Sequence, residues 1–80
     1  GRNPGRPRIG SMNRVLIGIR GEPTPEGMER ILKALRDLEG ISGVQATGPA
    51  QVLVEYDPQV LTVMDLLRTI REQGFLAGML

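Results

Sequence analysis

Two segments of this chain carry apolar residues at the spacing of an amphipathic helix. The first begins after Thr24 and Pro25, which are typical of an N-cap and of the first helical position, and Gly40 is the predicted stop. Its apolar positions are Met28, Ile31, Leu32, Leu35 and Leu38. The second is predicted to begin at Thr62 and to end at Gly74. Its apolar positions are Val63, Leu66, Leu67 and Ile70. The pattern therefore predicts two helices, each with one buried face.

Four strands are predicted around these helices. Residues 14–20 and 51–56 are rich in β-branched residues and indicate two strong strands. Residues 43–47 indicate a weaker strand, and the apolar residues 75–80 indicate a last one. Right-handed crossovers put both helices on the same side of the sheet. We therefore predict an α+β fold, a ferredoxin-like βαββαβ sandwich with a four-stranded antiparallel sheet and two helices on one face. The second and fourth strands are expected at the edges.

The start of the chain differs in composition from the rest. Three of the ten basic residues (Arg2, Arg6 and Arg8) and none of the nine acidic residues lie in residues 1–11. We interpret residues 1–11 as a disordered expression-vector remnant and residues 12–80 as one domain, which is mildly acidic. The alternative is a short basic arm that contacts phosphates or acidic lipids.

Composition argues against several function classes. No apolar run approaches the roughly 20 residues of a membrane span, and the start lacks a secretory signal, so we expect a cytoplasmic protein without direct membrane insertion. The chain has no Cys or His, and its serines are Ser11 and Ser42, so no nucleophile–base pair can form. We expect no enzyme and no cofactor. RNA-recognition modules share this topology, but Tyr56 and Phe75 are too few aromatics for base stacking, which argues against nucleic acid.

Three short motifs point to a family. They are Leu-x-Gly-Ile-x-x-Val over residues 38–44, Tyr-Asp-Pro over residues 56–58, and Gly-Phe at residues 74–75. With the pattern of residues 14–79, they resemble the heavy-metal-associated domain. That family includes copper chaperones, the mercury-binding carrier and N-terminal modules of metal-pumping P-type ATPases. The resemblance implies the same ferredoxin-like fold.

The loop after the first strand departs from that family. There the family carries Gly-Met-x-Cys-x-x-Cys, whose two cysteines bind Cu(I), Zn or Hg. The resemblance places these cysteines at Thr24 and Gly27 and the loop methionine at Glu22. Soft metals require thiolate or imidazole ligands, so we predict a degenerate metal site. Phe75 matches an aromatic that often lies beneath the loop in the family.

Other ligands in the same loop are a weaker possibility. Glu22, Glu26 and Met28 are the weak alternative ligands, with Glu29 nearby. Hard cations such as Ca²⁺ prefer six to eight oxygens, which favours solvated carboxylates that complement the helix dipole. Met28 has the spacing of a core residue. The alternative function is a metal-binding or metal-transport domain that uses these ligands, or ligands shared across a dimer.

The remaining prediction is a non-catalytic interaction or regulatory module, attached to or working beside a metal transporter. The last strand is apolar and uncharged, which favours pairing with a partner protein or self-association at that edge. The predicted interaction residues are Phe75, Leu76, Met79 and Leu80. Two alternatives stay open: Leu76 and Leu80 complete the core, or the chain is a small-molecule-sensing domain of related topology.

Overall fold

The computed structural model describes residues 12–80 and confirms the predicted order of helices and strands. The elements are β1 Asn13–Ile19, α1 Pro25–Arg36, β2 Ile41–Gly48, β3 Gln51–Tyr56, α2 Val63–Glu72 and β4 Ala77–Met79. The two interpretations of residues 1–11, a vector remnant or a basic arm, lie outside the described residues. Within residues 12–80, neither helix is long and apolar enough to cross a membrane.

The sheet has the strand order β2-β3-β1-β4, and every pairing is antiparallel. The prediction that the second and fourth strands lie at the edges is confirmed. The central pair β1–β3 runs from Asn13 opposite Tyr56 to Gly18 opposite Gln51. The β1–β4 pair is shorter and joins three residues on each strand.

One hydrophobic core lies between the sheet and the helices. Alternate residues of a strand face the same side of a sheet, so β1 and β3 each contribute every second residue. The buried core residues of the two central strands and the two helices are Ile17, Ile19, Val52, Val54, Tyr56, Met28, Ile31, Leu35, Leu66 and Ile70. Because all of them belong to one cluster, both helices cover the same face. The ferredoxin-like sandwich is confirmed.

Both helices begin at the predicted caps. The Thr24 hydroxyl accepts a hydrogen bond from the Gly27 N–H at 3.0 Å, which satisfies one unpaired amide of the first turn of α1. At α2, Thr62 and Asp65 form a reciprocal capping box. The Asp65 carboxylate accepts the Thr62 N–H at 2.9 Å, and the Thr62 hydroxyl accepts the Asp65 N–H at 3.3 Å.

Helix α1 ends earlier than predicted, at Arg36 instead of Gly40. The chain leaves the helix through a tight turn in which the Leu38 N–H donates to the Leu35 carbonyl and the Ile41 N–H to the Leu38 carbonyl. Leu38 still packs against the core, so its place in the apolar pattern did not require a helix. Gly40, with φ +98°, turns the chain into β2.

The edge strands also differ in length from the prediction. Strand β2 covers eight residues instead of five because its polar and glycine residues also pair with β3. This pairing contains two register shifts. Strand β4 covers three residues instead of six. Its predicted first residue, Phe75, donates its N–H to the Ile70 carbonyl at 3.4 Å, closing α2 instead of joining the sheet.

Candidate functional site

The loop between β1 and α1 is the place where the resemblance puts a metal site. Gly21 and Glu22 turn the chain with φ values of +77° and +24°. Pro23 is buried, whereas Glu22 and Thr24 are exposed. The loop thus exposes the side chain of Glu22 before α1 begins at Pro25.

Thr24 and Gly27, the positions that the resemblance assigns to the two cysteines, contact each other, and Gly27 also lies against Phe75. The Thr24 hydroxyl is engaged by the Gly27 N–H at 3.0 Å. Gly27 is buried, and a Cβ placed on it would lie 2.8 Å from Cζ of Phe75 and 3.3 Å from Oγ1 of Thr24. The phenyl ring therefore occupies the space where a side chain at residue 27 would begin. This arrangement caps and packs the helix.

The weak alternative ligands lie in different surroundings. Glu22 and Glu26 are exposed, and Met28 is 9% exposed and belongs to the hydrophobic core. Within residues 12–80, no group of three or more acidic, cysteine or histidine side chains lies close enough to hold a metal ion. Glu22, Glu26 and Glu29 therefore do not form a three-carboxylate cluster within residues 12–80.

The four predicted interaction residues face three different surroundings. Phe75 is half-buried against Gly27. Leu76 is 58% exposed and Met79 is 61% exposed. Leu80 is 69% exposed, but its Cδ2 atom would lie 2.8 Å from a Cβ placed on Gly18, so its side chain covers β1 on the face opposite the helices. Leu76, Met79 and Leu80 are thus more exposed than Phe75.

The outer edge of β4 carries backbone groups that the sheet does not use. The Arg20 N–H donates to the Leu76 carbonyl at 2.8 Å, and the Leu80 N–H donates to the Leu16 carbonyl at 3.0 Å. In an antiparallel pair, inward-bonded residues alternate with residues whose backbone groups point away. The N–H and C=O groups of Ala77 and Met79 therefore point outward, and no strand in residues 12–80 pairs with them.

A groove of about 340 Å³ lies beside this edge, between α2 and β4. We call it the α2–β4 groove; its lining residues are Met64, Leu67, Arg68, Arg71, Leu76 and Ala77. The sequence reasoning missed Met64, Arg68 and Arg71. Met64 is 67% exposed and lies off the apolar stripe of α2. Met64 is an apolar residue on the otherwise polar face of α2, and this sequence feature could have indicated the groove.

Charge in the α2–β4 groove is positive. Arg68 lies 3.7 Å from Asp65, and both side chains are substantially exposed, so this ion pair is weak. Within residues 12–80, Arg71 makes no ion pair. Among residues 12–80, no acidic side chain lines the groove. The pKa of Asp65 is lowered, first by the Thr62 backbone N–H and then by the Thr62 hydroxyl and Arg68, against an opposing effect of partial desolvation.

A larger groove, of about 750 Å³, lies between the β2–β3 turn and the ends of β1 and β4. Glycines at positions 18, 48 and 78 are three of its eleven lining residues, and its polar side chains are Arg20, Thr47 and Gln51. Ligand sites are concave and mostly apolar, with a small number of placed polar groups that orient the ligand. This groove is broad and open, so it does not enclose a ligand.

Solved structures share this architecture closely. The Cu(I)-loaded N-terminal domain of a potential copper-translocating P-type ATPase from Bacillus subtilis has a TM-score of 0.78 and 25% identity, covering 85% of this chain and 86% of that chain. Oxidized MerP from Ralstonia metallidurans CH34 has a TM-score of 0.78 and 22% identity, over 85% and 96% of the two chains. The yeast copper transporter domain Ccc2a has a TM-score of 0.74 and 22% identity, over 84% and 93%.

This chain has the fold of the heavy-metal-associated domain. The resemblance inferred from residues 14–79 is thereby confirmed at the level of the fold. No family model and no curated protein matches the sequence.

Within this heavy-metal-associated fold, the first loop does not fit a soft metal. The positions that the resemblance assigns to the ligands hold a hydroxyl that is engaged as a helix cap and a glycine that has no side chain. Thiolate and imidazole donors are absent from the sequence. The loop is therefore built as a packed helix start.

Proposed function

We propose that this chain is a non-catalytic docking module that keeps the heavy-metal-associated fold and binds a partner protein at the β4 edge of its sheet. The observation that carries the proposal is the contact between Gly27 and Phe75. At a position where the fold would present a ligand, the chain has backbone packed against an aromatic ring. The loop serves the stability of α1, so binding falls to another surface.

The two edges of the sheet differ in a way that supports β4 as that surface. Strand β2 has two register shifts along its pairing with β3, and irregularities of this kind protect an edge from further pairing. Strand β4 has no charged residue and is flanked by exposed Leu76 and Leu80. Its short length limits pairing to a few residues, so side-chain contacts beside it must contribute to any affinity.

The proposed context is metal transport. The similar structures include domains of copper P-type ATPases and the CopZ metallochaperone. We place the module in the cytoplasm, attached to or working beside a metal transporter, with a protein partner in place of a metal cargo. The competing function is metal binding through Glu22, Glu26 and Met28, or through ligands shared across a dimer.

Amide NMR spectra of the full chain, titrated with Cu(I), Zn²⁺ or Ca²⁺ under reducing conditions, test this proposal. The expected result is the absence of saturable shifts in residues 21–28 and at Phe75. Saturable shifts there at micromolar metal would overturn the proposal and restore a metal carrier. Glu22→Gln and Glu26→Gln variants would then show whether carboxylates hold the metal, and a change in rotational correlation time would reveal a dimer.

A further inference from the structure

We propose that the α2–β4 groove binds an extended, acidic and apolar segment of a partner protein, which adds to β4 as a fifth strand. This inference rests on the proposed docking function and specifies its partner. Three properties of the described residues carry it: outward backbone groups on β4, an apolar lining beside them, and arginines on α2.

The backbone of β4 provides the first property. Ala77 and Met79 each direct an N–H and a C=O away from β1, as the bonds of Leu76 and Leu80 to β1 require. An extended peptide can pair with these groups by strand addition, a common mode of peptide recognition. Backbone pairing supplies affinity without selecting a sequence, so selection must come from neighbouring side chains.

The apolar lining of the groove provides the second property. A strand beside β4 would run along the exposed face of α2, where Met64 is 67% exposed and Leu76 is 58% exposed. Alternate side chains of a strand point to the same face. Every second residue of the bound segment would therefore enter the groove and cover Met64, Leu67 and Leu76. Methionine suits such a surface because its side chain adapts to different partners.

The arginines provide the third property. Arg68 and Arg71 both line the groove, and Asp65 compensates only Arg68, at 3.7 Å. A guanidinium group binds carboxylates through paired, charge-assisted hydrogen bonds. Carboxylates on the bound segment would complement this charge. An acidic segment also matches the net positive charge of the groove better than it matches the rest of residues 12–80, which is mildly acidic.

A second copy of this chain is a poorer occupant. Pairing two β4 edges about a two-fold axis would make one continuous sheet with both α2 helices on the same face. Arg68 and Arg71 of each copy would then meet their counterparts across a shared groove. Like charges placed together across an interface suppress pairing. The charge of the groove thus favours a different, acidic chain.

The test uses the full chain labelled for amide NMR and two blocked peptides of about eight residues, a common strand length. One peptide alternates glutamate with valine and the other alternates lysine with valine. The acidic peptide is expected to shift the amides of Ala77 and Met79 and of residues 64–71, and to bind more weakly as salt is raised. Equal binding of both peptides, or shifts confined to β2, would overturn the inference.

Two variants with matched controls sharpen the test. Met79→Pro removes one outward N–H while leaving the β1 pairing intact, so it is expected to abolish the shifts, whereas Met79→Ala keeps that N–H and retains them. Arg71→Gln is expected to weaken acidic-peptide binding about tenfold, the loss of roughly one charge-assisted hydrogen bond. Unchanged spectra elsewhere in each variant establish that it is folded. Binding of the acidic peptide that Met79→Pro does not reduce would refute strand addition.

The remaining outcomes separate this inference from the proposed function. Absence of binding by both peptides overturns the groove inference but leaves the docking module standing. The docking module is overturned only by saturable shifts in the metal titration. Sedimentation equilibrium measures the mass of the chain in solution and so shows whether it forms a dimer. A dimer that dissociates in Met79→Pro would show that the edge pairs with itself, and it would overturn the acidic partner.

Discussion

Phe75 lies against Gly27 so closely that a Cβ on the glycine would come 2.8 Å from the ring's Cζ atom. The contact joins the first turn of α1 to the segment between α2 and β4. It also fills the position to which the resemblance assigns the second metal-binding cysteine. Because residue 27 is a glycine, the ring can pack against it, and the same glycine leaves this position without a side chain that could bind a metal.

The first prediction concerns this contact. Gly27→Ala is expected to lower the free energy of unfolding by about 1–3 kcal/mol because the added methyl group overpacks the site. Without the ring, replacing a helical glycine by alanine would stabilise the protein by about 0.5–1 kcal/mol. Urea denaturation of the two proteins measures the difference.

The matched tests of that prediction are Gly43→Ala and a double-mutant cycle. A Cβ on Gly43 finds no atom nearer than Glu55 Oε1 at 3.9 Å, so that substitution lacks the clash. In a Phe75→Leu background, which lacks the Cζ atom, the cost of Gly27→Ala is expected to disappear and to give way to the small gain that alanine brings to a helix. The same cost in both backgrounds would show that the ring is not responsible.

The second prediction concerns a restored thiolate site. The chain carrying Thr24→Cys and Gly27→Cys is expected to gain a Cu(I)-dependent rise in Tm, because a ligand that binds the native state stabilises it. Adding Phe75→Leu is expected to strengthen Cu(I) binding by making room for the side chain at residue 27. Competition with a Cu(I) chelator ranks the proteins.

The parent chain and the single variants are the controls for this experiment. Thr24→Cys alone removes the hydroxyl cap and is expected to cost about 0.5–2 kcal/mol without creating a two-thiolate site. If the parent chain competes for Cu(I) as well as the double variant does, the thiolate argument fails.

Sequence patterns could predict the elements of this fold but not all of their ends. Apolar spacing and caps identified both helix starts because Thr24 and Thr62 act on amides within the same turn. Strand β2 was predicted too short because its residues favour a strand only weakly, and pairing with β3 extends it. Gly40 was predicted to end α1, but the helix ends at Arg36 and Gly40 instead turns the chain into β2.

The candidate site was predictable only in part, for a similar reason. The missing cysteines are visible in the sequence, and the exposure of Leu76 and Met79 follows from an edge position. The contact between Gly27 and Phe75 depends on how distant segments pack. The α2–β4 groove likewise depends on the position of β4 beside Arg68 and Arg71, which no local pattern contains.

The third prediction concerns Gly40. With φ +98°, it occupies a conformation that costs other residues about 1–2 kcal/mol, and a Cβ there would lie 2.8 Å from two atoms of Val60. Gly40→Ala is therefore expected to be more destabilising than Gly74→Ala. Gly74 has a similar φ of +96° but no atom within 4 Å of its Cβ position. Equal losses in thermal unfolding would eliminate the steric contribution of Val60.

The fourth prediction concerns the pH dependence given by the α2 capping box. The pKa of Asp65 is lowered from an ordinary value of 3.8, mainly by the hydrogen bond from the Thr62 N–H. A carboxyl group whose pKa is lower in the folded state stabilises that state when ionised. Its contribution is complete above the ordinary pKa and is lost as pH falls through the lower, folded value. Asp65→Asn is therefore expected to destabilise the protein near neutral pH and to reduce this loss in acid.

Arg68→Gln distinguishes the cap from the ion pair as the source of that pH dependence. It removes the partner at 3.7 Å but keeps the hydrogen bonds that the Thr62 N–H and hydroxyl donate to Asp65, at 2.9 Å and 3.2 Å. Because Arg68 is the smallest cause of the lowered pKa, most of the acid-dependent loss is expected to remain in Arg68→Gln. Urea midpoints measured from neutral pH to below pH 3.8 give the comparison. If Arg68→Gln removes the dependence as completely as Asp65→Asn does, the ion pair and not the cap sets the stability of α2 in acid.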